Sequence, residues 1–269
     1  MLNCQYSARV LFNRAEKYSY FTFIISIFSA LCVFLNGNMA SFLIPVITSI
    51  LSVVTTYLMK KNQKLAAMIR NYFDANVLGI NDNNYSETEV CKIASIVEKI
   101  ISKSPKKHSI QISHTGKDDP PGVKDWYQFS KDYPGNEAVF ECQKQNCWWN
   151  DRLCKNRITI LMGLFIVFIV IYCLITHYLK ISFFHSLLCV ISLLLGLGYQ
   201  IVENITYLKI SNDLNVLLNV PNISQNEEQL YHIQARLNDR RELAVLEINW
   251  LHRRTSKTWS EQYERITNY

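Results

Sequence analysis

The chain has 269 residues, a net charge of +6 at pH 7 and a mean hydropathy of +0.02. Its length fits one or two soluble domains, but this hydropathy is high for a soluble protein. The positive charge suits contact with anionic lipid or a phosphate ligand and is too small to single out either.

Nearly all of the excess hydrophobicity lies in four blocks, at residues 18–35, 39–59, 158–179 and 181–202. None of the four contains Asp, Glu, Lys or Arg. Each is about as long as a helix that crosses ~30 Å of hydrocarbon, whereas a helix of a soluble core rarely lacks charge on every face. A signal peptide is the alternative for the first block. It is excluded because a long polar lead precedes the block and a second span follows it at once.

The short links within each pair of blocks predict two antiparallel hairpins. We therefore expect a mainly α, polytopic membrane protein with an α-rich middle region, for which a small α+β unit is the alternative. The predicted parts are an N-terminal helix (1–17), hairpin 1 (18–59), a cytoplasmic region (60–157), hairpin 2 (158–202) and a helical C-terminal region (203–269).

Basic residues flank the blocks on one side of the membrane. They precede span one, follow span two and precede span three: Arg9, Arg14, Lys17, Lys60, Lys61, Lys64, Arg152, Lys155 and Arg157. The hairpin tips carry only Lys180. The positive-inside rule then predicts a cytoplasmic middle region and cytoplasmic termini, and in a bacterium the membrane would be the inner one.

The eight cysteines are expected to stay reduced, since three lie in the spans and the others in the cytoplasm. Cys142, Cys147 and Cys154 form a cluster whose spacing matches no common zinc ribbon or finger. We expect packed free thiols, with metal binding as the weaker alternative and no cofactor.

In the middle region, 86–89 is a capping-box pattern, and the helix that follows is expected to end before Pro105. The segment 109–112 is a candidate strand, 120–122 a break, and a further helix should run from Asn136 into the third span.

In the tail, the fourth helix is expected to continue to about Leu218. A second capping box at 224–227 precedes an amphipathic helix with Leu230, Ile233 and Leu237 on its apolar face. Arginines are expected on its other faces, where they contact solvent or, alternatively, phosphate groups.

Enzyme signatures such as a phosphate loop, a GxGxxG, an HExxH and a GxSxG are not found in the sequence. His108 and His114 lie near Asp118 and Asp119 without a motif for a nucleophile, so we expect no enzymatic activity. The spans also lack Asp, Glu, Lys and Arg, the charged residues that transporters use for coupling.

Four stretches, in this order and placement relative to the spans, are similar to the bacterial SMODS-associated four-transmembrane effector family. They are LFNRAEK at 11–17, LAAMIRNYFD at 65–74, DWY at 125–127 and CQKQNCWWNDRL at 142–153, with a weaker fifth at 233–241. The resemblance covers essentially the whole chain. It departs at Asn150 and Ala235, where the family usually has Asp, and at Cys154, where it usually has Arg.

The resemblance implies a membrane effector of an anti-phage system, linked to a nucleotidyltransferase that makes a cyclic oligonucleotide. The expected partners are the lipid bilayer, this ligand, the linked enzyme and further copies of the chain in a homo-oligomer, with no binding of polymeric DNA or RNA. On this interpretation the ligand triggers assembly and permeabilisation of the inner membrane. The alternative is a scaffold or regulator that forms no channel and recruits a cytoplasmic partner.

The ligand is expected to bind between the middle region and the tail helix. Nine candidates can contact phosphates or stack on bases: Trp126, Tyr127, Gln143, Asn146, Trp149, Arg152, Arg236, Arg240 and Arg241. Two alternatives stay open. The tryptophans can anchor at the membrane interface, and Gln143 and Asn146 can belong to a buried hydrogen-bond network.

Overall fold

A computed structural model of the chain describes residues 1–35, 39–80, 85–116, 118–124, 133–220, 226–243 and 245, without side chains for 149 and 151–153. The described part is helical. Its helices are α1 (Leu2–Leu31), α2 (Ala40–Val77), α3 (Glu87–Ser102), α4 (Pro105–Ser113), α5 (Gly135–Tyr178), α6 (Phe183–Leu218) and α7 (Glu227–Glu242). A 3-10 turn (Cys32–Leu35) follows α1.

Four of these helices (α1, α2, α5 and α6) are long and apolar enough to cross a membrane, which confirms the predicted fold class. Each is continuous beyond its apolar stretch. The N-terminal helix and the first span are one helix, and the 38 residues of α2 reach ~57 Å, about twice the hydrocarbon thickness. We call the end of the molecule that carries the hairpin tips the hairpin end, and the opposite end the polar end.

In the membrane portion, α1 packs along α2, and both contact α6. Helix α5 stands apart, because it packs mainly on α6 and only 6% of its most apolar stretch is buried. Three helices therefore share one interior, and the fourth lies on their outside.

At the polar end, a hydrophobic core joins α1, α2 and α3 through Tyr6, Leu11, Ile69, Ile93 and Val97. Helix α3 begins with the predicted capping box. Ser86 Oγ accepts a hydrogen bond from the backbone N–H of Glu89, and the Glu89 carboxylate accepts one from the N–H of Ser86.

The predicted strand at 109–112 is wrong, since these residues belong to α4. Pro105 occupies the first turn of α4, where its missing N–H costs no hydrogen bond. A four-residue strand would need a neighbouring strand to pair its backbone, whereas a helix satisfies its own. The only ladder-like contact among the described residues is an isolated bridge between Thr115 and Lys124.

The start of the tail helix also differs from the prediction. Asn226 caps α7 by accepting a hydrogen bond from the N–H of Gln229, and residues 221–225 lie outside the described part. The remaining features hold: α3 ends at Ser102, before Pro105, and α6 ends at Leu218.

Gly122 lies where only glycine fits, because a Cβ there would be 1.7 Å from the backbone oxygen of His114. Arg9 of α1 donates hydrogen bonds of 3.0 and 2.9 Å to the carbonyls of Pro121 and Gly122. The loop after α4 is thereby held against the first helix.

Candidate functional site

Helix α7 lies against the parts of α2, α5 and α6 that extend into the polar end. Its apolar face packs Ile233 and Leu237 against Cys147 and Leu214, and Leu230 against a neighbouring cluster. Polar side chains lie on the same interface. We call it the α7 junction: Asn71, Asp74, Gln143, Asn146, Tyr207, Ser211, Gln234, Arg240 and Arg241.

Gln143 of α5 forms hydrogen bonds with the first two turns of α7. Its Nε2 donates to the backbone oxygen of Leu230 at 3.0 Å and to Oε1 of Gln234 at 3.2 Å. The side chain is buried, and its Oε1 has no hydrogen-bond partner among the described residues. The interface therefore contains one buried acceptor that is unpaired among the described residues.

Arg240 is the largest fully buried side chain of the described residues, with 2% of its surface exposed. Its guanidinium donates to Oδ1 of Asn146 at 2.7 Å and to Oγ of Ser211 at 3.5 Å, and lies 5.3 Å from the ring centroid of Tyr207. These partners are all neutral. Buried charges are usually paired, so this guanidinium is suited to an anion.

Two guanidinium groups lie near the ring of Tyr207 of α6. Arg157 lies 5.2 Å from the same ring and donates to Oδ1 of Asn204 at 2.5 Å. The Tyr207 hydroxyl donates to Oδ1 of Asn150 at 2.8 Å. These contacts connect the α7 junction with the start of the membrane spans.

Arg241 joins α7 to α2. It pairs with the buried carboxylate of Asp74 and donates to Oδ1 of Asn71 at 3.1 Å. Asp74 also faces Arg70 at 3.4 Å, and Arg70 in turn donates to Gln5 of α1. Two arginines thus share one carboxylate, and the contact continues from α7 through α2 to α1.

A cleft of about 20 Å³ lies beside the junction, between the end of α2 and the starts of α5 and α7. It is lined by Ile80, Val139, Glu227, Leu230 and Tyr231, among others. Its volume is below the ~300–1,000 Å³ of ordinary small-molecule sites. Because Arg240 is buried and the cleft is this small, a ligand reaches Arg240 only if α7 moves.

The structure brings four of the nine candidates together, namely Gln143, Asn146, Arg240 and Arg241. Arg236 is not among them, since it is exposed and lies 3.7 Å from Asp239 on the same helix. Trp126 and Tyr127 fall outside the described residues, and of Trp149 and Arg152 only the backbone, in α5, is described. That these residues bind a ligand stays a prediction.

Asp74 and Tyr207 were not among the candidates, although both hold junction arginines. A helical repeat is the signal that indicates Tyr207, since Gln200, Asn204, Tyr207 and Ser211 recur at three- and four-residue steps along the buried face of α6. In α7, the same spacing places Arg240 three residues after the buried Leu237 and so predicts that Arg240 is buried. The solvent-facing position expected for the tail arginines is therefore wrong for Arg240.

The cysteine cluster lies along the buried face of α5. All eight cysteines are free thiols. Burial, followed by the nearby Asp74 and Glu141, raises the pKa of Cys142 to about 12. Within the described ranges, no group of three or more His, Cys, Asp or Glu side chains is arranged to hold a metal ion.

Comparison with protein families finds one model, described as the SMODS-associating 4TM effector domain, that matches residues 1–268. Comparisons with curated proteins and with solved structures return no match. The match spans all seven helices, including the α7 junction, and its description is that of a membrane effector associated with SMODS nucleotidyltransferase signalling. The chain belongs to the family of SMODS-associating four-transmembrane effectors.

Proposed function

We propose that the chain is the membrane effector of a bacterial anti-phage system. A cyclic oligonucleotide made by the linked nucleotidyltransferase binds at the α7 junction and causes copies of the chain to assemble and permeabilise the inner membrane. The chain performs no catalysis of its own. Its polar end faces the cytoplasm, and so do both termini, in line with the basic residues that flank the spans.

The observation that carries this proposal is the buried guanidinium of Arg240, held by neutral partners at a contact of three helices. A phosphate oxygen accepts a stronger hydrogen bond from arginine than an amide or hydroxyl does. Arg241 follows it in α7 and pairs with Asp74 of α2, so a second guanidinium lies at the same junction on the α2 side.

Burial of these groups links binding to movement. Because the junction is closed, a ligand reaches Arg240 only when α7 shifts away from α5 and α6. Binding therefore stabilises the shifted state, and a near-complete switch requires a difference of ~5.5 kcal/mol between the two states. Two or three charge-assisted hydrogen bonds of ~1.5–3 kcal/mol each supply it.

The shift is transmitted to the membrane by continuous helices. Asn146 and Tyr207 lie on α5 and α6, which run without a break into the spans. Loss of their contacts with Arg240 frees both helices at the polar end. The uncharged outer faces of the spans allow them to tilt or to associate with other copies in lipid.

The test is dye release from liposomes that carry the purified protein, with and without a panel of cyclic di- and trinucleotides. We expect release with one nucleotide and not with the others. The variant R240A/R241A should insert and give no release, whereas R236A, which removes an arginine from the exposed side of α7, should behave as the unsubstituted protein.

No release with any nucleotide, from protein shown to be folded and inserted, contradicts the proposal. It favours the scaffold that recruits a cytoplasmic partner. Normal release from R240A/R241A would instead move the ligand site away from the junction.

A further inference from the structure

Helix α1 has two contrasting faces in its membrane portion. Large apolar side chains such as Phe21, Ile24 and Phe28 point outward, where lipid would surround them. The inward face carries hydroxyls at three- and four-residue steps, and all of them, including Ser26 and Ser29, are buried.

The same division occurs in α2 and α6. The buried face of α2 carries Thr48, Ser52 and Thr55, and the first turns of α6 bury His185, Ser186 and Ser192. We call this set the polar seam: the buried hydroxyl residues at positions 19–29 of α1 and 48–55 of α2, with residues 185, 186 and 192 of α6.

Two hydrogen bonds bring the three helices to one interior. Thr22 Oγ1 and Thr55 Oγ1 lie 2.7 Å apart, between α1 and α2. Ser29 Oγ donates to the backbone oxygen of Cys189 of α6 at 2.9 Å. The buried hydroxyl face of α1 therefore contacts both α2 and α6.

Several polar atoms of the seam have no partner in the closed bundle. The Oγ atoms of Ser26, Ser186 and Ser192 and Nδ1 of His185 are buried without a hydrogen bond among the described residues. Small side chains permit close packing of membrane helices, but alanine would serve this purpose without an unpaired hydroxyl. Close packing alone therefore does not account for the seam.

The contact of α5 with α6 is more apolar in its membrane portion, where Phe165 and Phe168 pack near Leu193 and Leu197. The Tyr172 hydroxyl donates to the backbone oxygen of Ser186 there, so this contact is not wholly apolar. Along α1 the polar seam rises ~15 Å, from Ser19 to Ser29, about half the thickness of the hydrocarbon.

We infer that the polar seam lines the conducting path for water and small hydrated ions in the active state. The inference rests on the proposed function and names the part of the chain that conducts. When α1, α2 and α6 separate, water pairs with hydroxyls that have no partner in the closed state, so hydration of the seam favours opening.

Native cysteines test the path in the unsubstituted protein. Cys189 is buried within the seam, and Cys173 lies exposed on α5, where lipid would surround it. Liposomes with the inserted protein are treated with a charged methanethiosulfonate, with and without the nucleotide panel. Labelling of each cysteine is measured by mass spectrometry.

We expect labelling of Cys189 to rise at least tenfold with the nucleotide that causes efflux, while labelling of Cys173 is unchanged. Efflux without labelling of Cys189, or with equal labelling of Cys173, overturns the inference and leaves the proposed function intact. Absence of efflux with every nucleotide contradicts the proposed function, and the inference falls with it.

A second experiment separates conduction from packing. The variant S26A/S192A removes two unpaired hydroxyls, so the closed bundle should be at least as stable as the unsubstituted one. We expect single-channel conductance in planar bilayers to fall severalfold. The control I24A, on the lipid side of α1 at the same depth, should leave it unchanged. Unchanged conductance in S26A/S192A would overturn the inference.

Discussion

Arg240 of α7 and Asn146 of α5 are joined by a hydrogen bond of 2.7 Å, although 94 positions separate them in the chain. The Oδ1 atom of Asn146 also accepts a hydrogen bond from Nδ2 of Asn150, so one amide oxygen holds both the tail helix and the next turn of α5. The guanidinium of a buried arginine thus depends on a neutral acceptor where α7 contacts α5.

Replacement of this acceptor should loosen α7. In N146L the Arg240 guanidinium loses its shortest hydrogen bond, at a cost of about 1.5–3 kcal/mol. Hydrogen exchange of the α7 amides should accelerate about 10- to 100-fold. R236A should change exchange little, since the ion pair of Arg236 is exposed. Equal exchange in N146L and the unsubstituted protein would contradict a role for this bond.

Asp74 supplies the one carboxylate among the residues that define the α7 junction, and its loss should destabilise the attachment of α7. In D74N, Arg70 and Arg241 lose the charge that they share, and breaking a buried ion pair costs about 3–5 kcal/mol. We expect rapid tryptic cleavage within α7 under conditions where the unsubstituted protein resists. The matched control is D239N, which breaks the exposed pair with Arg236 and should leave cleavage slow.

The cysteines should differ sharply in reactivity. Burial raises the pKa of Cys142 to about 12, so at pH 8 only about one molecule in 10⁴ carries the thiolate that iodoacetamide attacks. The exposed Cys91 of α3 should be alkylated readily in the folded protein, and Cys142 only after denaturation. Alkylation of both at similar rates would show that the face of α5 that carries Cys142 is open.

The capping box of α3 should make this helix sensitive to acid. The backbone and side-chain hydrogen bonds from Ser86 lower the pKa of Glu89 below its ordinary value of 4.5. A lowered folded pKa means that the stabilisation is present above about pH 4.5 and is lost as the pH falls through the lowered value. Exchange of the α3 amides, corrected for the intrinsic pH dependence, reports this loss.

The variant S86A removes the cap itself and should cost about 1 kcal/mol. E89Q should remove the acid sensitivity, whereas E87Q, in the same turn, should retain it because Ser86 still pairs with Glu89. Acid sensitivity that persists in E89Q would assign it to another group.

The spans and their extensions could be predicted because they depend on local properties. A charge-free stretch of about 20 residues implies a membrane helix whatever surrounds it. The strand predicted at 109–112 was wrong because Ile110 and Ile112 alternate with polar residues, which is typical of a strand. Whether a neighbouring strand is available to pair with it depends on the whole fold, and the described residues provide none.

In the α7 junction, too, local features could be predicted from the sequence and long-range contacts could not. The apolar stripe of α7 indicated a helix that packs on something, but not that Arg241 would meet Asp74, which precedes it by 167 positions. Pairings over such distances depend on how the long helices are arranged, and periodicity along one helix does not encode that arrangement. Arg240 could be predicted in part: its position in the apolar stripe of α7 indicates that it is buried but does not indicate which residues it contacts.

The loose attachment of α5 has a consequence for how the protein responds to the bilayer itself. Its charge-free stretch, residues 158–178, rises ~32 Å, close to the ~30 Å of an average hydrocarbon layer. With little more than α6 to restrain it, α5 leans further in a thinner bilayer, so its angle follows the thickness of the surrounding lipid. Gln143 and Asn146, which bond to α7, lie at the other end of α5. The length of the lipid acyl chains therefore also affects the contacts that hold α7.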